Sequence, residues 1–300
     1  MSTLAMMLVI FSAFLHAGWN VLGKSNRGSG IAFTLAASVA VSVILTPYII
    51  WYLSTIGWSA LPKYFWFLVM VSGISQIIYM IRLIVAYKYA DIGVIYPIVR
   101  SLPVLMVGVV SSFLGQRLDV QQWLGFVLIT LGCVFVPLAS FRAFKLSSYI
   151  NLGVFWAVIA AIGTTGYSII DKQALDVVTR LVHEVVSDTY TSIFYLGVQY
   201  WAMVLPILTW CVLGRQSHQI VGAWKIRKQA GLAGIMIGVT YGVVLVAMNM
   251  TTNISLLVAL RQVSIVIGLI MGCIFLGESW SFTRVLGVIL IMTGLVMSFG

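Results

Sequence analysis

Two arginines carry most of the chemical information in this sequence. Arg100 and Arg261 each stand inside an apolar run, about eight residues from its start. At 1.5 Å per residue that is a depth of roughly 12 Å. A guanidinium so placed costs several kcal/mol and usually faces a bundle interior or water. An anionic ligand would serve as counter-ion to both. The competing reading is that they bond backbone carbonyls, or reach Asp91 or Glu278. Gln262 and Ser264 adjoin Arg261, and Pro97 and Pro103 flank Arg100. Each proline removes a helical hydrogen bond, and broken helices at mid-depth are where transporters place substrates. A kink that only shapes packing is the plain alternative. His16 and Asn20 lie one turn apart, on one face, with Trp19 between them. His16 is a group able to titrate near neutral pH, although a hydrogen bond to a neighbouring helix explains the patch as well. Tyr79 and Tyr241 are two further polar candidates for lining a cavity.

The acids sit elsewhere on this reading. Asp91, Asp119, Asp171, Asp176, Glu184, Asp188 and Glu278 all fall in expected loops or at helix ends. The three histidines (16, 183 and 218) do not cluster with them, whereas an enzyme working on a lipid-linked substrate would want such a cluster at one interface. Cys133, Cys211 and Cys273 are too scattered for a metal site or a disulfide frame. The expectation is a protein that is not an enzyme and uses no cofactor or metal.

The elements that must position these residues follow from composition. The chain of 300 residues is 61% apolar and 8% charged, with a mean hydropathy of +1.09. Soluble domains carry roughly 25% charged residues, so this surface must meet lipid. A bilayer core of about 30 Å takes roughly 20 apolar residues per helix. Ten apolar runs fit: 3–22, 31–53, 64–86, 92–114, 120–139, 150–170, 189–213, 230–249, 254–276 and 282–299. The first is read as a retained helix, since it lacks the basic start and small-residue cleavage site of a signal peptide. The loop from Lys172 to Asp188 places Leu175, Val178, Val182 and Val185 at helical spacing, an amphipathic helix expected to lie in the interface.

The chain also repeats itself. Gly115-Gln116 and Gly125…Gly132 close the fifth run, and Gly277-Glu278 and Gly287…Gly294 close the tenth. Each pair is 162 apart (277−115, 287−125, 294−132), as are Tyr79 and Tyr241 (241−79). Near the front, Gly18 to Lys24 matches Gly166 to Lys172 at an offset of 148, with Tyr167 matching Trp19 and Thr164 and Ser168 matching His16 and Asn20. Five helices per copy is an odd number, so the second copy enters the membrane from the opposite side. The expected architecture is all-α, ten transmembrane helices in two inverted five-helix repeats. Such symmetry lets one central site face each side in turn.

The net charge of +10 is an orientation signal rather than a nucleic-acid one. Loops after odd-numbered runs hold Lys24, Arg27, Lys88, Arg142, Lys145, Arg215, Lys225, Arg227, Lys228 and Arg284, against Lys63, Arg117, Lys172 and Arg180 in the others. The first set is expected in the cytoplasm, with both termini outside.

These motifs together resemble the drug/metabolite transporter superfamily, and within it proteins with two EamA domains. The resemblance spans nearly the whole chain and rests on the paired G-x-x-L-I-x-x-G segments, on His16-Ala17-Gly18-Trp19-Asn20-Val21-Leu22-Gly23-Lys24, and on the five-plus-five layout. It implies a first EamA repeat over 1–140, a second over 150–299, and a cavity between them serving alternating access. The family moves amino acids, nucleotide sugars, sugar phosphates and other metabolites. The chain departs from the family pattern at Gln116, where Glu is usual, and offers His16 and Asn20 where the small multidrug members carry a first-helix carboxylate.

The reading is a multi-pass carrier of the inner membrane for a small polar metabolite, anionic by the argument from arginine, such as an amino acid or a phosphorylated or phosphonate compound. Its binding residues are taken as Arg100, Arg261, His16, Trp19, Asn20, Tyr79, Tyr241 and Gln262. Its partners are that small molecule and the lipid bilayer, without nucleic acid, and it acts as a monomer or homodimer. The rivals are efflux of neutral or cationic drug-like compounds, and a membrane enzyme.

Overall fold

The computed structural model describes residues 3–24, 29–90, 92–138, 140, 150–276 and 280–299; within helices, the side chains of 14–24, 92, 93, 97, 268, 271, 272 and 274–276 lie outside the description. Twelve helices make up the described chain, with no strand among the described residues. They are α1 (Thr3–Lys24), α2 (Gly30–Ile56), α3 (Lys63–Tyr89), α4 (Ile92–Phe113), α5 (Val120–Phe135), α6 (Leu152–Val182), α7 (Asp188–Leu213), α8 (Ser217–Lys225), α9 (Arg227–Asn249), α10 (Ile254–Leu260), α11 (Val263–Leu276) and α12 (Phe282–Phe299).

Local chemistry sets several of the starts. Ser29 accepts from the Ile31 amide at 3.3 Å, and Asn151 from the Val154 amide at 3.0 Å. Asn253 accepts from Ser255 and Leu256 at 3.0 and 3.3 Å, opening α10. Each satisfies amides that a helix start leaves orphaned.

Seven helices are long and apolar enough to cross a membrane: α2, α3, α4, α6, α7, α9 and α12. Three shorter apolar helical stretches, Thr3–Ala13, Val120–Phe135 and Ile254–Ile267, accompany them. The ten runs expected from sequence are thus seven long helices and three shorter pieces. Two differences from expectation matter. The sixth run does not stop at 170, because α6 continues to Val182; the separate interfacial helix is instead its last three turns. Leu175, Val178 and Val182 are buried there, while Val185 lies beyond the helix and is exposed. The second difference is in the ninth run, which breaks at Arg261–Gln262 without a proline, while α4 runs unbroken through Pro97 and Pro103.

The helices pack largely across the two halves of the sequence. α3 lies on α6 and α1 on α9; α2 lies on α7, and α5 on α12. The α5–α12 contact is built from glycines. A Cβ added at Gly125 would sit 2.5 Å from the Gly294 carbonyl oxygen, and one at Gly294 2.5 Å from that of Gly125. Gly132 and Gly287 face each other in the same way, at 2.6 and 2.8 Å. The backbones therefore touch, as small residues permit in apolar media. On α9, Gly231, Gly234 and Gly238 meet Ala40, Ala37 and Val41 of α2. The outward stripes are apolar: Leu124, Val127 and Leu131 on α5, and Val285, Ile289, Met292 and Val296 on α12 are exposed. With seven membrane-length helices inside, an apolar exterior is the surface lipid requires.

Candidate functional site

The break between α10 and α11 brings the arginines together. The Arg261 amide bonds the Leu257 carbonyl at 3.1 Å, the last bond of α10, and the Gln262 amide turns back to Ala259 at 3.0 Å. A helix C-terminus carries unsatisfied carbonyls and a partial negative charge. Arg100, reaching across from α4, meets it: its Nη2 donates to the Arg261 carbonyl at 3.4 Å and to Ser264 Oγ. Ser264 Oγ donates to the same carbonyl at 2.8 Å. Gln262 uses its side-chain amide on the Val258 carbonyl at 3.1 Å, leaving its buried Oε1 without a partner among the described residues. Arg100 Nε is likewise buried and without a partner among them.

Tyrosines surround the two guanidiniums. Arg261 stands 5.8 Å from the Tyr241 ring centre and Arg100 5.9 Å from that of Tyr96. Tyr167 lies edge-on to Tyr241 at 5.6 Å and tilted against Tyr79 at 5.8 Å. Tyr79 is within electrostatic reach of both arginines. Among the described residues neither arginine forms an ion pair with an acid; the two ion pairs are Lys172–Asp176 and His183–Glu184. The arrangement is a mid-bundle centre of two cations, four phenols and two orphaned buried polar atoms. Chemically it can hold an anion with hydrogen-bond acceptor oxygens.

Of the residues expected from sequence, the structure gathers Arg100, Arg261, Tyr79 and Tyr241 here and puts Gln262 in the break. Tyr96, Tyr167 and Ser264 join them. His16, Trp19 and Asn20 belong to α1, but their side chains lie outside the described residues, as do Asp91 and Glu278. Arg82 lies 4.3 Å over the Trp156 ring of α6.

Sequence reasoning misplaced the doublet Asp171–Lys172. Asp171 was expected in a loop or at a helix end, yet it is fully buried inside α6. Its Oδ1 accepts from Tyr195 at 2.7 Å, from Gln199 Nε2 at 2.9 Å and from Ser72; its Oδ2 accepts from Gln199 Nε2 at 2.8 Å and from Tyr241. Every one of these donors is neutral. Lys172, also expected in the loop, is buried and turned to Asp176 at 2.6 Å. The apolar run had looked finished at Ile170, because two charges follow it. The signal that was present is Tyr195 and Gln199, two polar side chains one turn apart in the apolar α7. Their presence there calls for a buried polar partner.

Gln199→Leu is expected to lower stability by about 2 kcal/mol, the cost of stripping donors from a buried charged acceptor. Thermal unfolding in detergent checks it, and Gln199→Glu, which sets a second carboxylate against the first, is expected to be worse.

A cavity of about 280 Å³ is lined by Lys172, Asp176, Thr179, Arg180, Asn249 and Thr251 among others.

No protein-family model matches the chain, and no curated protein matches it. Solved structures do: 27 chains match, and one protein of known crystal structure aligns over 98% of this chain and 96% of its own, with a TM-score of 0.63 and 16% identity. At that identity the likeness shows a shared fold and nothing further.

Proposed function

We propose that the protein is a secondary transporter of the drug/metabolite type, built from two inverted repeats over 1–140 and 150–299 and moving a small anionic metabolite by alternating access. The observation that carries this reading is the meeting of Arg100 and Arg261 at a broken helix, without an acid beside them among the described residues. Two positive charges in the middle of an apolar bundle are costly unless a ligand or water compensates them. Half-helix ends at mid-depth are where carriers of this kind hold solutes.

The packing supports the repeat. Pair α1 with α6, α2 with α7, α3 with α9, α4 with α10–α11 and α5 with α12, and exchange the members. The α3–α6 contact then becomes α9–α1, α2–α9 becomes α7–α3, and α4–α6 becomes α11–α1, all of which exist. The α5–α12 contact maps onto itself: adding 162 to Gly125 and Gly132 gives Gly287 and Gly294, the residues they touch in crossed order. Two of the three shorter apolar stretches then count as full spans, one short and one broken, and α1 makes the tenth. With Lys172 inside α6, the basic bias of the odd-numbered loops grows, which favours their cytoplasmic placement in an inner membrane.

Efflux of a cation has one observation in its favour, the buried Asp171. Its oxygens already accept from four neutral groups, so an incoming cation would have to displace them. The anion reading needs no such rearrangement.

Thermal-shift screening of the purified protein against amino acids, phosphates and phosphonates tests the proposal. Stabilisation by one class of anion is the expected result. Stabilisation by cationic or uncharged compounds alone would overturn it.

A further inference from the structure

Asp171 is a carboxyl group buried in the bundle, and when ionised it has no cation in hydrogen-bond contact among the described residues. Burial on such terms is costly even when every lone pair is used. The groups facing it from each neighbouring helix are these. From α3 comes Ser72, with Tyr79 two turns further on; from α7 come Tyr195 and Gln199; from α9 comes Tyr241. Arg100 of α4 and Arg261 of the α10–α11 break reach the tyrosines instead. On α6 itself, Tyr167 turns to Tyr79 and Tyr241, and Lys172 turns to Asp176.

Two details make this more than a satisfied structural acid. Gln199 spends its amide nitrogen on both carboxylate oxygens and on Ser72 Oγ at 2.8 Å, while its fully buried Oε1 has no partner. An orphaned acceptor beside a carboxylate is what a protonated carboxyl needs: turning the amide over presents Oε1 to an O–H, and the Ser and Tyr hydroxyls can rotate to suit. Secondly, Lys172, the residue that follows Asp171, lines a cavity of about 280 Å³.

We propose that Asp171 is an exchangeable proton site wired to the arginine centre through Tyr241. The step is a simple transfer: a proton taken up from solution adds to a carboxylate oxygen, Asp171 becomes neutral, and Gln199 Oε1 accepts the new O–H. Tyr241 is the link, since its hydroxyl bonds Asp171 while its ring stands against Arg261. The electrostatics give the sign. With Asp171 ionised, the two arginines and the acid sum to +1; protonation raises this to +2 and strengthens the hold on an anion. By reciprocity the anion must equally favour proton uptake. This coupling rests on the anion reading above, whereas the proton site does not.

The test uses the full chain in detergent, with proton uptake followed from about pH 4 to 9 by potentiometric titration, and sulfate as a probe that exchanges no proton of its own near neutrality. Wild type is expected to bind one proton more across this range than Asp171→Asn, and to take up protons when sulfate is added. Tyr241→Phe, which keeps the acid, is expected to retain that proton and lose the response to sulfate; it also guards against poor folding of the Asn variant. Identical proton uptake by wild type and Asp171→Asn overturns the proposal. A one-proton difference together with no sulfate response in wild type supports the proton site and overturns the anion reading instead.

Discussion

Arg261→Gln is expected to give a folded protein whose affinity for a stabilising anion falls by about 30-fold or more. Removing one partner of a buried charge contact costs roughly 2 kcal/mol or more, and 1.4 kcal/mol is tenfold. Stability without ligand should not suffer, because the variant no longer holds that intramembrane charge. Arg100→Gln should lose anion affinity similarly but also weaken the apo protein by about 1 kcal/mol, since Arg100 donates to the Arg261 carbonyl and to Ser264 Oγ across the break. The contrast separates a ligand-binding arginine from one that also holds the fold together. Ligand-induced shifts in unfolding temperature, measured with and without anion, read both quantities at once. Unchanged shifts in both variants would remove the basis of the transport reading.

The second large effect lies far from the arginines. Gly125→Leu and Gly287→Leu are each expected to cost about 3 kcal/mol or more, at the upper end of overpacking penalties, and to abolish a monodisperse peak in size-exclusion chromatography. Besides the Ser298 hydroxyl at Gly125 and a Val136 methyl at Gly287, the obstructing atoms are backbone carbonyls and amides of the facing helix, which have no rotamer to escape into. Because both glycines meet the backbone of the facing helix at similar distances, the two losses should be of similar size. Gly222→Leu in α8 serves as the contrast: its nearest neighbour beyond its own helix is the Ala32 Cβ at 3.4 Å, an ordinary contact. That substitution should be tolerated, with a small gain from helix propensity.

The sequence was informative wherever one physical pattern ran uninterrupted. Apolar runs located the helices, and the fixed offset of 162 picked out the glycines that now prove to face each other across α5 and α12. Arg100 and Arg261 were conspicuous because charge inside an apolar run has few explanations. Asp171 was hidden for the converse reason. A charge at the edge of an apolar run looks like the end of a helix, and the Asp171–Lys172 doublet occupied that edge. Only neighbours remote in sequence, Ser72, Tyr195, Gln199 and Tyr241, turn the apparent edge into an interior. The break at Arg261 was equally silent. It contains neither proline nor glycine, and its turn is held by Ser264 and by an arginine from another helix.

Helix length has a consequence for the surrounding lipid. At 1.5 Å per residue α6 is about 46 Å long and α2 and α3 about 40 Å, whereas α5 and α12 reach only about 24 and 27 Å. The short pair bears apolar stripes on its outer side and is shorter than a typical 30 Å hydrocarbon layer, whereas α2, α3 and α6 are longer. A bilayer must pinch around the first set and the second must lean. A membrane of longer acyl chains would then press hardest on the α5–α12 seam, where the two helices touch backbone to backbone.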